Sequence, residues 1–273
     1  MDGFFRIKEL LQARRIDTVG AVRLCDCKIL REYKLKNAGL DTGAPLFVYI
    51  FAVPYYTKHD GESNISKYAA PRDYHLYFNS LFNEIIAILK KENPEYRFAG
   101  FTDNSPIDEI HAAAISGIGV IGKNGLLITE KYSSFVFLGE IITDMPTKCA
   151  EAHEIRECIN CGKCISACPK AELGECLSAL TQKKGALTNK EISAIKKHGS
   201  AWGCDICQLV CPNTEAATSN GTIYTKIDFF CDRLTPTLDT DTVKDMSDED
   251  FSERAYSWRK KETILRNLEI LEK

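Results

Sequence analysis

The chain has 273 residues, 44% of them apolar and 27% charged, with a formal net charge of -3. That length can bury a core as one large or two smaller units. The small negative charge excludes a global attraction to nucleic acid or an anionic membrane, so either partner would need a local basic patch. Lys196-Lys197-His198 and Arg259-Lys260-Lys261 lie in helix-like stretches and read as solvated faces.

In chain order, the N-terminal stretch MDGFFRIKELLQARR places apolar and charged residues at helical spacing. It lacks the uninterrupted apolar region of a signal peptide, so export is not expected. The most apolar run, about Leu46 to Tyr56, is too short to span a bilayer and contains Pro54, so no membrane association is expected. Leu46–Val53, Arg97–Thr102 and Phe135–Ile142 read as strands: short, rich in β-branched or aromatic residues, and bounded by turn formers. The clearest helix covers Tyr74–Lys91, where Phe78, Leu81, Phe82, Ile85 and Leu89 recur on one face. A second helix is predicted to start at Ser105-Pro106 and to end near Gly117. This alternation predicts an α/β unit over residues 1–147. From 148 to 215 cysteines dominate and apolar runs are few, so folding there should depend on metal. Thr188–Lys197 reads as a helical insert between two cysteine groups. Residues 216–273 form an acidic, then helical, tail expected to pack back on the core.

Twelve cysteines in a chain without an export signal point to a reducing cytoplasm and to metal ligation rather than disulfides. Cys158, Cys161, Cys164 and Cys168, followed by Pro169, reproduce the C-x2-C-x2-C-x3-C-P run of bacterial ferredoxins. Cys204, Cys207 and Cys211, followed by Pro212, repeat its x2 and x3 steps, with Ala201 where a leading cysteine would stand. Two 4Fe–4S clusters need eight thiolates, and the two motifs supply seven. Cys176, which lies between them, is the best eighth. Crosswise ligation assigns Cys158, Cys161, Cys164 and Cys211 to one cluster and Cys168, Cys176, Cys204 and Cys207 to the other. Zinc is the rival ligand, but it does not explain two x3-C-P endings. Cys25, Cys27, Cys149 and Cys231 are left as buried or incidental thiols.

Gly117, Gly119 and Gly122 in GIGVIGKN match G-x-G-x-x-G. They follow a predicted helix and lead into the strand-like Leu126–Ile128, the wrong context for a dinucleotide fingerprint. Asp103, at a strand–helix junction, reads on its own residues as a turn or cap, in a place where functional side chains are also often held. RDYH, Arg72 to His75, groups hydrogen-bonding residues at a helix start.

RDYH, DNSP, GIGVIGKNGLLI, FLGEIITD, the two cysteine motifs and the final LRNLEIL occur in the order seen in epoxyqueuosine reductases, and the chain resembles that family over most of residues 16–271. The resemblance implies an N-terminal α/β corrinoid-binding unit joined to a ferredoxin-like double-cluster domain, with cobalamin and two 4Fe–4S clusters as cofactors. It implies an oxidoreductase that removes the epoxide oxygen of epoxyqueuosine in tRNA, the last step of queuosine biosynthesis. The related reductive dehalogenases share the corrinoid and cluster arrangement. Asp103 matches the family's proton donor and Cys176 its extra cysteine. Arg72, Tyr74, His75, Lys123 and Asn124 are the implied corrinoid contacts. The implied partners are tRNA or a smaller nucleoside, and an electron donor such as a flavodoxin or ferredoxin. Cobalamin follows from the resemblance alone: the D-x-H-x-x-G motif of another corrinoid class is broken, with Phe78 in its glycine position after Asp73 and His75.

Two departures stand out. The family's D-S-x-P-x-x-E is usually followed by arginine, whereas here Asp103, Pro106 and Glu109 are followed by Ile110. The sequence also stops just after LRNLEIL, which reads as a short form without the family's C-terminal helical-repeat domain. A related corrinoid reductase with another substrate, or a ferredoxin-like electron carrier without catalysis, are the alternatives.

Overall fold

The computed structural model describes residues 3–59, 61–148 and 150–273. Its contacts divide the chain into two units that interleave along the sequence. The first comprises Met1–Pro54, Tyr77–Cys161 and Ala216–Ile223; the second comprises Tyr55–Leu76, Gly162–Glu215 and Tyr224–Lys273.

The first unit combines helices with a four-stranded sheet, as the alternating pattern predicts. Its six strands are β1 (Thr18–Arg23), β2 (Phe47–Pro54), β3 (Phe98–Phe101), β4 (Val120–Ile121), β5 (Leu127–Ile128) and β6 (Val136–Thr143). The main sheet has the order β1-β2-β6-β3, and every pair in it is antiparallel. β2 is buried from Val48 to Pro54 because both of its faces are covered. Its side chains alternate between two cores. Val48 and Ile50 pack with Ile142 and with Ala112 to Ile115 of the helix Glu109–Ile115. On the other face Phe51 stacks on Phe78, with ring centroids 6.2 Å apart, and meets Phe82 edge-on. Both phenylalanines belong to the predicted helix, which spans Tyr74–Glu92. Glycines make room for these rings: a Cβ at Gly139 would lie 2.3 Å from Phe78, and one at Gly100 would lie 2.3 Å from Phe82.

Two elements differ from the sequence reading. The second helix starts at Glu109, not at Ser105-Pro106, because Asp108 supplies the cap by accepting from His111 N at 3.0 Å. Ser105 and Pro106 are committed elsewhere, with the Pro106 carbonyl accepting from Leu30 N and Arg31 N. β1 carried no strong strand signal. Its Gly20 is there for close approach, since a Cβ would fall 2.5 Å from Ser116 Oγ.

The second unit gathers around Trp202, which is fully buried with Tyr256, Phe251, Ile264 and Leu268. Its indole donates to Tyr68 OH at 2.8 Å, and its carbonyl accepts from Ser66 N at 2.7 Å. A smaller core joins Leu177 and Leu180 to Ala194 and Ile195. The last two lie on the helix Asn189–His198, whose predicted start is fixed by a capping box between Thr188 and Glu191. The tail supplies the helices Thr240–Asp245, Asp248–Ser252 and Lys261–Glu272. No described helix is long and apolar enough to cross a membrane.

Candidate functional site

Asp103 is exposed on the loop between β3 and the helix Glu109–Ile115. Its φ is +59°, in the left-handed region that aspartate tolerates better than most residues. The loop is tied down along its length. Thr102 Oγ1 donates to Leu138 O at 2.7 Å, and Asp103 N donates to Glu109 Oε1 at 3.1 Å. Lys34 Nζ donates to Asn104 O, and Arg31 Nη1 donates to Ser105 O at 2.9 Å. Asp103 is thus the exposed acid on a fixed backbone, placed where a strand end and a helix start meet.

Beneath it lies a second feature that the sequence reading missed. Glu140 sits in the middle of β6, opposite Ile50 on one side and Phe101 on the other, and is fully buried. The Ser105 hydroxyl donates to Glu140 Oε1 and itself accepts from Ile107 N at 3.0 Å. The Glu109 carboxyl lies within hydrogen-bonding range of Glu140. Burial, then the charge of Glu109, pushes Glu140 well above the usual carboxylate range. Burial first, with Asp103 and Asp108 adding to it, pushes Glu109 up to about 7. The readable signal was one glutamate inside the apolar run FLGEII.

The glycine-rich segment is a hairpin rather than a phosphate loop. β4 and β5 pair as Val120 with Ile128 and Ile121 with Leu127. A Cβ on Gly119 would lie 2.8 Å from Ile128 O, so that glycine is required by strand packing. At the turn Lys123 is exposed, and Asn124 Oδ1 accepts from Leu126 N at 3.3 Å, which gives Asn124 a local turn role.

Arg72, Tyr74 and His75 fall in the second unit, whereas Asp103, Lys123 and Asn124 fall in the first. Asp73 starts the long helix: its Oδ1 accepts from His75 N at 3.0 Å and lies 2.8 Å from His75 Nδ1. Tyr74 stacks on the His75 ring at 4.2 Å. The Arg72 guanidinium lies 4.3 Å over the Phe229 ring, with carboxylate oxygens of Asp232 and Glu253 4.0 Å away. His75 is therefore braced by Asp73 and by the Tyr74 ring, and Arg72 is held by its own carboxylate neighbours.

The two cysteine motifs fold into the same local device. One helical turn, Lys163–Ala167 or Ile206–Leu209, carries Cys164 or Cys207. The closing cysteine follows: Cys168 N donates to Ile165 O and Cys211 N to Gln208 O, each at 3.2 Å. Proline then opens the next helix, Lys170–Leu173 after Pro169 and Pro212–Ser219 from Pro212 itself. These two turns pack against each other. Left-handed conformations at Asn160 and Gly162 bend the chain around Cys161. Cys176 caps the helix Leu177–Thr181 in extended conformation.

The donor set suits iron–sulfur ligation. The Cys204 thiol is pushed up to about 11, by burial first, then by the charge of Asp205 and the nearby sulfurs of Cys207 and Cys176. Crowded thiols of this kind ionise together only when a cation draws them down. Among the described residues, no three of His, Cys, Asp and Glu converge as ligands of a single metal ion. A cubane makes a different demand, giving each thiolate its own iron. Beside Cys204 is a cavity of about 160 Å³, lined in part by Asn64, His198, Asp205 and Leu209, too small for a corrinoid. Of the remaining cysteines, Cys25 and Cys231 are exposed rather than buried, and burial pushes the Cys27 thiol up to about 12. Cys149 lies outside the described residues.

Fold and site together define a mixed helix-and-sheet protein that carries a doubled, ferredoxin-type cysteine motif. No protein-family model matches the chain. It is 35% identical to the epoxyqueuosine reductase of Gloeobacter violaceus over 199 residues, 70% of this chain and 62% of that protein. It is 32% identical to the epoxyqueuosine reductase of Listeria monocytogenes over 249 residues, 83% of this chain and 64% of that one. The chain thus spans less than two thirds of the length of these curated relatives. Among solved structures, epoxyqueuosine reductase from Streptococcus thermophilus superposes with a TM-score of 0.77 at 23% identity, covering 99% of this chain and 81% of that one. An epoxyqueuosine reductase with an epoxyqueuosine-modified tRNA-Tyr stem loop gives 0.74 at 22% identity, covering 98% and 81%. The Bacillus subtilis reductase, described with its catalytic aspartate loop swung out of the active site, gives 0.72 at 22% identity, covering 98% and 82%. The chain is a relative of the epoxyqueuosine reductases in sequence and has their fold.

Proposed function

We propose that this protein is an oxidoreductase that reduces epoxyqueuosine to queuosine in tRNA, using two 4Fe–4S clusters and cobalamin. The observation that carries the reading is Asp103: an exposed carboxyl on an anchored, left-handed loop, in a chain that also holds the doubled cysteine motif. The name shared by the relatives and the tRNA stem loop bound by one structural neighbour support the substrate. Cys158, Cys161, Cys164 and Cys211 would hold one cluster, and Cys168, Cys176, Cys204 and Cys207 the other. Arg72, Tyr74, His75, Lys123 and Asn124 would contact the corrinoid. When bound, these groups supply the two electrons that epoxide removal needs.

The protein's own part is the proton. Removing an epoxide oxygen takes two electrons and two protons and releases water, because an oxyanion is a poor leaving group. Asp103 delivers one proton to that oxygen as the C–O bond opens. The protein acts in the cytoplasm, with a flavodoxin- or ferredoxin-type electron donor. Ile110, where the family usually has arginine, favours a second reading in which the same chemistry acts on a different substrate. The test is complementation of a bacterial strain that lacks its own epoxyqueuosine reductase. Queuosine should appear in its tRNA with the parent chain but not with Asp103→Asn. Unreduced epoxyqueuosine in both, with clusters and corrinoid loaded, favours the second substrate.

A further inference from the structure

Under the Asp103 loop lie two carboxyls, the buried Glu140 and the partly buried Glu109, that stand apart from the apolar cluster around them. Glu140 stands on the central strand of an otherwise apolar sheet face, a costly place for a charge. Its Oε1 accepts from Ser105, whereas its buried Oε2 has no hydrogen-bond donor among the described residues. The neighbouring group is another carboxyl, that of Glu109, whose Oε1 accepts from Asp103 N. Two carboxylates repel at this range, but a carboxyl and a carboxylate can bond through a shared proton.

Among the described residues, the hydrogen bonds to the pair come from Asp103 N and the Ser105 hydroxyl, and neither brings a positive charge. Asp103 and Asp108 add negative charge beside Glu109. Burial first, then the charges of Asp26 and Cys25 and last that of Glu140, keep the Cys27 thiol protonated, so it brings no positive charge to the pair. The cations of this region are engaged with backbone: Lys34 bonds Asn104 O and Arg31 bonds Ser105 O.

We infer that Glu109 and Glu140 share one proton at neutral pH and form a proton-holding support that positions Asp103 and reloads it after each turnover. The step balances simply. Asp103 gives its proton to the substrate oxygen, the pair passes its proton to the Asp103 carboxylate, and solvent restores the pair. Glu109 is then a positioning residue, and Glu140 keeps it protonated. This rests on the reading of Asp103 as proton donor, so its test must separate the two.

Infrared difference titration of the anaerobic, fully loaded protein does so when the glutamate carboxyls carry ¹³C. One protonated-carboxyl band should persist at neutral pH, shift with the glutamate label, and survive in Asp103→Asn. It should vanish in Glu140→Gln and in Glu109→Gln, because the amide supplies its own N–H to the remaining carboxylate. In both glutamine variants the alkaline limb of the turnover profile should move to lower pH. Absence of the band in the parent, a band indifferent to the glutamate label or to both glutamine variants, or an unmoved profile in both overturns the inference. If Asp103→Asn turns over like the parent while the band behaves as stated, the donor reading fails and the shared proton stands.

Discussion

Strand β2 and the segment from 151 to 176 show two ways for one chain to become ordered. Every residue of β2 from Val48 to Pro54 is buried, and its side chains alternate between two apolar cores. From 151 to 176 only Pro169 is buried, while Ile155, Ile159 and Ile165 are 42%, 64% and 54% exposed. Burial contributes roughly 25 cal/mol per Å² of apolar surface, and that segment removes little surface from water. Its left-handed turns at Asn160, Gly162 and Gly174 must be stabilised by something other than packing. Ligation of cysteine is what the sequence there can supply.

The sharpest way to break this contrast is to remove the metal. Anaerobically prepared protein should contain about eight irons and eight sulfides per chain. Chelation should strip amide protection and protease resistance from residues 158 to 211 while the β1-β2-β6-β3 sheet keeps its own. Cys176→Ala should lose or convert one cluster, whereas Cys149→Ala and Cys231→Ala should retain both. Stoichiometric zinc, or uniform loosening of sheet and cysteine segment alike, would show that the two regions do not differ as argued.

The next effect falls on turnover alone. Asp103→Asn should preserve the fold and the iron content but slow epoxyqueuosine reduction at least roughly 100-fold, the lower end of acid catalysis. Parent-like single-turnover rates would reduce Asp103 to a turn residue.

The same contrast explains what could be read in advance. Period-two and period-3.6 patterns mark surfaces that face a core, so β2, β6 and the helix Tyr74–Glu92 were legible to within about a residue or two. The paired cysteine turns are legible for a different reason, because fixed spacings such as C-x2-C-x3-C-P encode local geometry directly. β1 was missed because its glycine answers to Ser116, far away in sequence. The start of the helix Glu109–Ile115 was misplaced because Ser105 is taken by Glu140 across the sheet rather than by its own helix. The interleaving of the two units is likewise a property of long-range contacts that no local pattern carries.

Within the burial-stabilised region, Gly139 tests how tight the packing is. A methyl at that position would meet Phe78 at 2.3 Å and Phe51 at 3.0 Å, both within a packed aromatic layer. Gly139→Ala should cost about 1–3 kcal/mol by overpacking, read as a lower denaturation midpoint for the sheet with unchanged iron content. A neutral outcome would mean that this face of the sheet is looser than its burial implies.

The last prediction concerns the one place where the buried region departs from its own rule, the carboxyl pair Glu109 and Glu140. Burial raises both above the ordinary glutamate value of about 4.3, Glu109 to about 7. The sign follows from proton counting. Between those values the folded chain holds a proton that the unfolded chain has released, so stability is greatest in acid and is lost as pH rises through about 7. Glu140→Gln gives Glu109 an N–H partner and removes the requirement for that proton. Matched anaerobic unfolding of parent and variant from about pH 5 to about pH 8 should therefore show the parent losing at least about 1.4 kcal/mol relative to the variant, the linkage value of a single pH unit. A constant gap across that range would mean that the pair ionises as freely when folded as when unfolded. Glu140 would then have to be reached by water despite its position inside the sheet.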